Sequence, residues 1–264
     1  MDLQLTNKVA LLAAATDGLG LTTAQTLLKE GAKVAICGRD EKRILAAKKS
    51  LFKLADDSHI FVQSCDVTNE LQVQNFIQNT VKKFSSLDIV VTNAGGPPAG
   101  TFETLDEVSF EKGFNLNLMS AVYLLKASLP YLKKSKHASV LTITSRSAKA
   151  PIPNLLISNV IRPAILGLTK SLSQEWGEYG IRVNSILPGW TKTDRTQYLL
   201  QKRAEKLGIS YENCVKEVIK ALPLRRMGDP QEFANAATFI VSPAASYING
   251  VMLLVDGGDY SGLM

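Results

Sequence analysis

Short runs of apolar residues alternate with longer amphipathic segments along most of the chain. Strands buried on both faces of a parallel sheet show continuous apolar runs, whereas helices packed on a sheet show apolar residues every three or four positions. The alternation predicts a doubly wound α/β fold, with about seven parallel strands and helices on both faces of the sheet. The predicted strands are residues 9–14, 33–37, 60–64, 89–92, 139–144, 182–187 and 251–255. The predicted helices are residues 21–29, 40–54, 70–84, 107–132, 159–178 and 231–241.

The segment 190–230 interrupts this alternation. It is polar and contains two short helical patterns, at residues 195–207 and 211–221. A long insertion after the carboxyl end of a strand lies where a doubly wound sheet holds its ligand. We therefore predict a single domain over residues 1–264 with a substrate lid near 190–230. The alternative is a helical decoration without a role in binding.

Composition narrows the range of partners. The chain has 264 residues, of which 45% are hydrophobic, and a formal net charge of +6. Its lysines are scattered, and no basic run is interleaved with aromatic residues, so no nucleic-acid partner is predicted. No apolar run approaches the roughly 20 residues that cross a bilayer, and the first residues lack the basic-then-apolar order of a signal peptide. We expect a cytoplasmic protein without a membrane partner.

Few residues are suited to bind a transition metal. The chain has three cysteines, without C-x-x-C spacing, and two histidines. This is little material for a zinc site or a Ser-His-Asp triad, so no metal is predicted. Cys37, Cys65 and Cys214 are expected to be buried as small apolar residues.

A glycine-containing turn follows the first predicted strand. Residues 13–20 read A-A-A-T-D-G-L-G and lead directly into a helix. Glycines at such a turn let the backbone approach a pyrophosphate, while the helix N-terminus supplies N–H donors and a favourable dipole. Taken alone, Gly18 and Gly20 are a weak signal for a dinucleotide site.

Four further short motifs follow, each at the carboxyl end of a predicted strand. They are C-D-V at 65–67, N-A-G at 93–95, P-G at 188–189 and D-G-G at 256–258. With the glycine turn, and in this order, they resemble the motifs of the short-chain dehydrogenase/reductase family along nearly the whole chain. The resemblance implies a Rossmann-like fold and a nicotinamide dinucleotide cofactor. It implies cofactor contacts at Ala14, Asp17, Gly18, Leu19, Gly20, Arg39, Asp66, Val67, Asn93, Ala94, Gly95, Arg162, Pro188, Gly189, Thr191 and Thr193.

The glycine turn departs from the family pattern at its first glycine. Ala13 and Ala14 stand where the family has T-G. A small residue still permits a close approach to the cofactor. Any left-handed backbone conformation at Ala14 would, however, be strained, because glycine alone adopts it freely.

The end of the second predicted strand bears on the choice between NADP and NAD. NAD-binding proteins place a carboxylate there for the ribose 2′-hydroxyl, whereas NADP-binding proteins offer an arginine to the 2′-phosphate. Gly38 followed by Arg39 resembles the second case, and Asp40 can serve as a helix N-cap. Asp17 favours NAD, because many NADP-preferring relatives carry a basic residue at that point. We predict NADP, with NAD as the alternative.

The family's catalytic positions are altered in this chain. In the family a tyrosine exchanges the proton, with its pKa lowered by a lysine one helical turn later, while a serine binds the substrate oxygen and an asparagine holds a water. Asn117 and Ser145 align with that asparagine and serine. Ser158 and Arg162 align with the tyrosine and lysine, so that Y-x-x-x-K becomes S-x-x-x-R. The longer spacing of enoyl reductases would place the tyrosine at Leu155, which also lacks a phenol.

This replacement changes the source of the proton. A serine hydroxyl is a far weaker acid than a phenol, and arginine keeps its proton at physiological pH. The proton would come from water relayed through Asn117 and Ser158, or from Tyr198 or Tyr211 in the lid. We predict an NADP(H)-dependent oxidoreductase that acts on a carbonyl or hydroxyl group through an altered proton relay. The alternatives are a catalytically silent dinucleotide-binding sensor or partner subunit, or a non-redox enzyme on the same scaffold.

The predicted pocket indicates the character of the substrate. Glycine, proline and aliphatic residues at 96–98 and 151–156 are combined with Trp190 and with the basic side chains of Arg146 and Lys149. We expect a small, moderately apolar molecule, with an acidic group that meets one of the two basic side chains.

The resemblance also implies a homotetramer, which family members form through the helices that match 107–132 and 159–178. Leu118, Ala121, Leu124 and Leu125 are at helical spacing and would supply an apolar face for this contact. The same four residues would equally suit packing against the sheet.

Overall fold

The computed structural model describes residues 1–263, and Met264, the last residue of the predicted domain, lies outside the described residues. Within them, seven strands form one sheet in the order β3-β2-β1-β4-β5-β6-β7. All neighbouring strands are parallel. The strands are β1 (Val9–Leu12), β2 (Lys33–Gly38), β3 (Ile60–Ser64), β4 (Ile89–Thr92), β5 (Ser139–Ile143), β6 (Arg182–Pro188) and β7 (Met252–Val255). The predicted seven-stranded, doubly wound α/β fold is confirmed.

Helices cover both faces of this sheet. They are α1 (Gly18–Lys29), α2 (Glu41–Leu51), α3 (Glu70–Phe84), α4 (Glu107–Phe114), α5 (Ser120–Leu132), α6 (Leu156–Glu175), α7 (Asp194–Leu207), α8 (Tyr211–Ala221) and α9 (Pro230–Val241). Helices α1, α2 and α9 contribute to the apolar core on one face, and α3 and α5 contribute to the core on the other.

The first strand shows why the apolar runs are continuous. Ala10 and Leu12 lie in the core beneath α1 and α9, whereas Val9 and Leu11 lie in the core beneath α3 and α5. Successive side chains of a strand point to opposite faces, so a strand covered on both sides needs an apolar residue at every position. Each of these four residues is at most 1% exposed.

Two predicted boundaries near the glycine turn shift by a few residues. Strand β1 ends at Leu12 rather than at residue 14, because Ala14 adopts a left-handed backbone with φ of 44°. Helix α1 begins at Gly18 rather than at residue 21, because the Asp17 carboxylate accepts a hydrogen bond from the Gly18 N–H and caps the helix. The helix N-terminus therefore lies immediately beside the turn.

The predicted helix 107–132 contains an interruption. Helices α4 and α5 are joined without a loop by a π-helical turn at Asn115–Met119, which includes Asn117. Such π-turns are rare and occur frequently at functional sites, because the extra residue rotates a side chain out of the regular helical register. Helix α6 begins at Leu156 rather than at residue 159, which places Ser158 in its first turn.

The predicted apolar face for oligomer contacts is largely part of the core. Ala121, Leu124 and Leu125 are at most 3% exposed, and Leu118 is half-buried. Leu124 and Leu125 pack with strands β1, β4 and β5. The alternative prediction, packing against the sheet, is therefore correct for these residues, since strand β4 and its neighbours need an apolar cover on this face.

The strand order reverses between β1 and β4, which is the topological switch point of the sheet. In doubly wound sheets, ligands bind at the carboxyl ends of the strands at this point. The five motifs noted above follow β1, β3, β4, β6 and β7 at that edge. No helix within residues 1–263 is long and apolar enough to span a membrane.

Candidate active site

The glycine turn brings the protein backbone close to the edge of the sheet. Gly18 has a φ of 52° and Ala14 has a φ of 44°, both in the left-handed region that favours glycine. A Cβ on Gly20 would lie 2.9 Å from the Cα of Ala15, so this position accepts no side chain without movement of the backbone. The turn thus has the shape expected for a phosphate cradle, with strain at Ala14 as the sequence predicted.

Two asparagines connect the segment after β4 to its surroundings. The Asn93 amide after β4 donates to the Ala14 carbonyl at 2.9 Å, across the switch point. The Asn117 amide on the π-turn donates to the Gly95 carbonyl, also at 2.9 Å. The Oδ1 atom of Asn117 is buried and has no hydrogen-bond partner within the described residues. An orphaned buried acceptor of this kind is unfavourable unless a water or ligand supplies a donor.

A cavity of about 300 Å³ extends from the glycine turn to the first turns of α6 and α7. Most of the predicted site residues meet there. From the predicted cofactor set, the cavity is lined by Ala14, Asp17, Gly18, Leu19, Gly20, Asn93, Ala94, Gly95, Arg162, Pro188, Gly189, Thr191 and Thr193. Ser145 and Ser158 from the predicted catalytic set line it as well.

Four predicted site residues do not line this cavity. Asn117 lies behind Gly95, whereas Arg39, Asp66 and Val67 lie at the ends of β2 and β3. An Arg39 nitrogen is 3.7 Å from the Asp66 carboxylate, and the Arg39 side chain is 74% exposed.

The Asp66 carboxylate is held as an anion. Partial burial acts to raise its pKa, but hydrogen bonds from the Thr68 N–H and hydroxyl and the charge of Arg39 outweigh burial and leave the pKa below its ordinary value. Val67 is buried beneath these groups.

Three serine hydroxyls form a connected group beside the cavity. The Ser158 and Ser147 hydroxyls share a hydrogen bond of 2.9 Å, and the Ser145 hydroxyl accepts the Ser147 N–H at 3.1 Å. Ser158 and Ser147 are buried, and Ser145 is half-buried. Because a hydroxyl both donates and accepts, the Ser145 O–H remains able to donate to a ligand oxygen.

Arg162 is a buried cation at the wall of the cavity. Its side chain is on α6, one turn after Ser158, and the residue is 7% exposed. One terminal nitrogen donates to the Ile143 carbonyl at 3.1 Å, whereas the Nε has no partner within residues 1–263. Burial, with a further contribution from the nearby Arg195, lowers the pKa of Arg162 to about 10. The guanidinium therefore stays charged at neutral pH.

Sequence reasoning missed Arg43, which lines the cavity at its glycine-turn end. Its guanidinium lies 3.2 Å from the Asp17 carboxylate and 3.9 Å from that of Asp194. The sequence contains a pattern that could have identified this residue. Arg43 is four residues after Arg39 and lies in the first turn of α2, beyond the end of β2, where a second basic side chain can reach the same edge of the sheet. The carboxylate of Asp40, in turn, accepts the Arg43 N–H at 2.9 Å, which confirms Asp40 as a helix N-cap.

The residues expected to meet an acidic group are already engaged. The Nε of Arg146 lies 2.5 Å from the Asp259 carboxylate. The ammonium of Lys149 lies 5.6 Å from the centre of the Tyr260 ring. Burial raises the pKa of Asp259, with the Arg146 charge acting against this effect.

The two tyrosines considered as proton sources do not line the cavity. Tyr198 is half exposed, and its ring lies 5.6 Å from the Arg195 guanidinium. Tyr211 packs against the apolar cluster between α7 and α8. Neither phenol therefore lines the site.

The three cysteines are free and buried, as predicted.

This combination of fold and site defines a class of dinucleotide-dependent proteins, and comparisons with known proteins name the family. Residues 13–259 match the family model described as enoyl-(acyl carrier protein) reductase. The chain is 35% identical to tropinone reductase-like 3 of Erythroxylum coca over 258 residues, which is 97% of this chain and 94% of the relative. The protein therefore belongs to the short-chain dehydrogenase/reductase family, and its relatives are oxidoreductases.

Two solved structures resemble the whole chain. L-Sorbose reductase from Gluconobacter frateurii, in complex with NADPH and L-sorbose, has a TM-score of 0.93 and 27% identity over 100% of both chains. A short-chain oxidoreductase from Pseudomonas aeruginosa PAO1, described as containing an atypical catalytic center, is bound to NADPH. It has a TM-score of 0.88 and 28% identity, over 97% of this chain and 99% of that protein.

Proposed function

We propose that this protein is an NADP(H)-dependent oxidoreductase that acts on a carbonyl or hydroxyl group of a small molecule through an altered proton relay. The observation that carries the proposal is the single cavity that joins the glycine turn to Ser145, Ser158 and Arg162. One end has the shape of a phosphate cradle, and the other gathers hydroxyls and a fixed positive charge. A hydride transfer between cofactor and substrate requires these two kinds of site side by side.

The residues present fit a nicotinamide dinucleotide. Gly18 and Gly20 line the cavity, the turn packs so closely that a Cβ on Gly20 would collide with Ala15, and the N-terminus of α1 supplies N–H donors beside it. Arg162 has a buried Nε without a partner, which suits a ribose hydroxyl as acceptor. Pro188, Gly189, Thr191 and Thr193 would lie along the nicotinamide.

The basic side chains around the end of β2 favour NADP over NAD. Arg39 is largely exposed and free to reorient toward a 2′-phosphate. The carboxylate of Asp17, which argued for NAD, is paired with Arg43 at 3.2 Å, so its negative charge is balanced. Two guanidinium groups near this point suit a doubly charged phosphate better than a ribose hydroxyl.

The bound cofactor would supply or accept the hydride, and the chain's own groups would manage the oxygen and its proton. The Ser145 hydroxyl is placed to donate to the substrate oxygen, and the Arg162 charge stabilises negative charge that develops there. The Ser158 hydroxyl shares its proton with Ser147 and is no strong acid. Without a general acid the rate falls by about 10²–10⁴-fold, so we expect slow turnover with protons drawn from water near Asn117 and Ser158.

The relatives support this assignment. L-Sorbose reductase is seen with NADPH and a sugar, and the P. aeruginosa oxidoreductase combines NADPH with an atypical catalytic center. That relative binds NADPH and has an unusual catalytic centre. We propose the same combination for this protein, with Ser158 and Arg162 in the unusual centre.

We further propose that helices α7 and α8 form a substrate lid on a single domain. They enclose their own apolar cluster, which includes Leu200, Cys214 and Val218 and is separate from the cores on the two faces of the sheet. A unit with its own small core can move over the cleft while the sheet stays rigid.

The test of cofactor choice is a fluorescence titration with NADPH, NADP⁺, NADH and NAD⁺. We expect NADPH to bind at least about tenfold more tightly than NADH, because a charge-assisted phosphate contact contributes about 1.5–3 kcal/mol. Arg39→Ala should remove most of this preference, whereas Lys42→Ala, at an exposed neighbour on α2, should not. Equal affinity of the unmodified protein for NADPH and NADH would contradict the choice of NADP.

Turnover is tested separately, by NADPH oxidation across a panel of ketones and aldehydes. Slow but measurable oxidation supports the enzyme. Tight NADPH binding without oxidation across the panel would favour a sensor or a partner subunit. The serine group supports this alternative, because its hydrogen-bonded side chains are hydroxyls and include no acid. Failure to bind any of the four cofactors would favour a non-redox enzyme.

A homotetramer is also proposed. Val108, Phe114 and Val160 are about half exposed, on helices α4 and α6 that pack against each other. Exposed apolar residues on neighbouring helices are typical of subunit contacts. Light scattering at micromolar concentration should give four times the monomer mass of 28.7 kDa, and a monomer would contradict the proposal.

A further inference from the structure

We propose that Arg195 and Arg162 together form a binding site for a carboxylate, so that the substrate is a small carbonyl or hydroxy compound that carries an acidic group. This inference rests on the proposed function only in calling the ligand a substrate. The anion site itself is argued from charges, hydrogen bonds and packing within the cavity.

Arg195 reaches the cavity from the first turn of α7. Thr193 caps this helix, and Arg195 lines the same cavity as Arg162. One terminal nitrogen donates to the Pro97 carbonyl at 2.7 Å. A Cβ on Gly96 would lie 2.5 Å from the Nε of Arg195, so the guanidinium lies over Gly96 because this residue lacks a side chain.

The two guanidiniums have no counter-charge. Within residues 1–263 neither Arg162 nor Arg195 has a carboxylate within ion-pair distance. Burial lowers the pKa of both, and the positive charge of Arg195 contributes to the lowered pKa of Arg162. Two like charges in a partly dry cavity repel each other, and an anion between them would remove the repulsion and gain attraction to both.

Arg182, which is half-buried, shows how an arginine with a purely structural role is bonded in this chain. Its terminal nitrogens donate to the carbonyls of Ile240, Ile248 and Ser242 at 2.8–3.1 Å. Arg162 and Arg195, by contrast, each donate to one carbonyl and keep further N–H groups available. Unused charged donors at a cavity wall indicate a ligand with matching acceptors, and a planar carboxylate fits the guanidinium fork.

Arg195 enters the cavity over the loop that follows β4. Arg195 lies against Gly96 and Pro97, beyond the end of β4, and lines the same cavity as Ser145 and Ser158. The first turn of α7 also reaches the glycine turn, because a Cβ on Gly18 would lie 3.7 Å from a side-chain carbon of Thr193, so the NADPH affinities measured below distinguish a carboxylate from a cofactor phosphate. Arg146, which the sequence offered for an acidic group, is neutralised by Asp259. The structure therefore assigns acid recognition to the two arginines without a counter-ion.

The test uses a pair of ligands with one shape and different charge, so that turnover is not needed. Benzoate and benzamide are titrated by calorimetry into the unmodified protein saturated with NADPH. We expect benzoate to bind at least about tenfold more tightly than benzamide, because a charge-assisted contact is stronger than a neutral one. If NADPH does not bind, the proposed function fails, but the same pair titrated into the free protein still tests the anion site.

Three variants locate the effect. Arg195→Gln should reduce the benzoate preference to about threefold or less, since one of the two charges remains, whereas Arg203→Gln, an exposed arginine on the same helix, should preserve it. Gly96→Ala should also weaken benzoate, because the added Cβ displaces the Arg195 guanidinium without changing any charge. NADPH affinity is measured for each variant.

Three results would overturn the proposal. The first is equal affinity of the unmodified protein for benzoate and benzamide, which needs no variant and no assumption about folding. The second is an unchanged benzoate preference in Arg195→Gln. The third is a loss of NADPH affinity in Arg195→Gln as large as the loss of benzoate affinity, which would assign the arginine to the cofactor phosphates instead.

Discussion

At the glycine-turn end of the cleft the wall includes three glycines of the turn and its neighbour strand, whereas at the α6 end polar and charged side chains stand among apolar ones. At the first end, Asn93 and Asp17 satisfy the turn by hydrogen bonds from within the chain. At the second end, the Nε of Arg162 is buried without a partner among residues 1–263, and so is the Oδ1 of Asn117 on the π-turn. The first end is thus complete as a scaffold, and the second is left with groups that a ligand or water would satisfy.

Because the two ends differ in this way, they should be sensitive to different kinds of substitution. A backbone wall is damaged by added volume, because atoms behind a glycine cannot move away. Where the wall carries a buried charge, removal of that charge should weaken ligand binding. It should not reduce stability, because an uncompensated buried ion opposes folding. Four sets of substitutions test this contrast.

The largest effect is expected at the α6 end, from Ser158→Tyr combined with Arg162→Lys. The two positions are one turn apart on one helix, and the pair would restore a phenol whose pKa a lysine lowers. We expect reduction of generic ketones to rise by about 10²–10⁴-fold, with NADPH affinity unchanged, because the glycine turn is untouched. NADPH oxidation by parent, both single variants and the double variant measures the gain. No gain, with cofactor still bound, would show that the pocket differs from the family's in more than these two residues.

Arg182, which is half-buried, and Arg162, which is buried, should respond in opposite ways to the same substitution. Arg182→Met leaves three carbonyls without donors and should lower the free energy of unfolding by about 3 kcal/mol. Arg162→Met removes an uncompensated cation and should leave the stability of the cofactor-free protein unchanged or raise it by about 1 kcal/mol. NADPH should bind Arg162→Met at least about tenfold more weakly. Denaturant unfolding and cofactor titration are the measurements, and a comparable loss of stability in both variants would remove the contrast.

At the glycine-turn end, Gly20→Ala should be harmful through volume alone. The new Cβ would lie 2.9 Å from the Ala15 Cα, so we expect a loss of about 1–3 kcal/mol of stability together with weaker NADPH binding. Gly167→Ala is the matched control. Outside the helix's own backbone, no atom lies within 4 Å of the added Cβ, and alanine is favoured over glycine in a helix by about 0.5–1 kcal/mol. Thermal unfolding with and without NADPH compares the two. Equal melting temperatures would argue against a rigid cradle.

The smallest effect is expected at Ala14. Its left-handed backbone is strained by about 1–2 kcal/mol, whereas glycine adds about 0.4–1 kcal/mol of unfolded-state entropy, so Ala14→Gly should stabilise the protein by about 0.5 kcal/mol. The control Ala13→Gly, at a buried position without a positive φ, should destabilise it. Chemical denaturation resolves the two directions. Destabilisation by both substitutions would mean that the turn does not store strain at Ala14.

The sequence by itself determined the fold and most of the residues that meet at the glycine-turn end of the cleft. Continuous apolar runs marked strands covered on both faces, and short motifs marked their carboxyl ends. Because parallel strands all end at one edge of the sheet, residues far apart in sequence, such as Gly18, Asn93 and Pro188, were predicted to meet, and they do. The buried cysteines and the strain at Ala14 followed from residue type and local backbone preference.

The tertiary structure alone decided the electrostatics of the other end. Nothing local in the sequence shows that Arg146 is neutralised by Asp259, that Arg195 lies over Gly96, or that Leu124 belongs to the core rather than to a subunit contact. Periodicity reports how one segment is covered, whereas a charge is balanced or left unbalanced by segments that only the complete chain path brings within a few ångströms. Coulomb interactions depend on that distance and on the exclusion of water, and both are properties of the folded molecule.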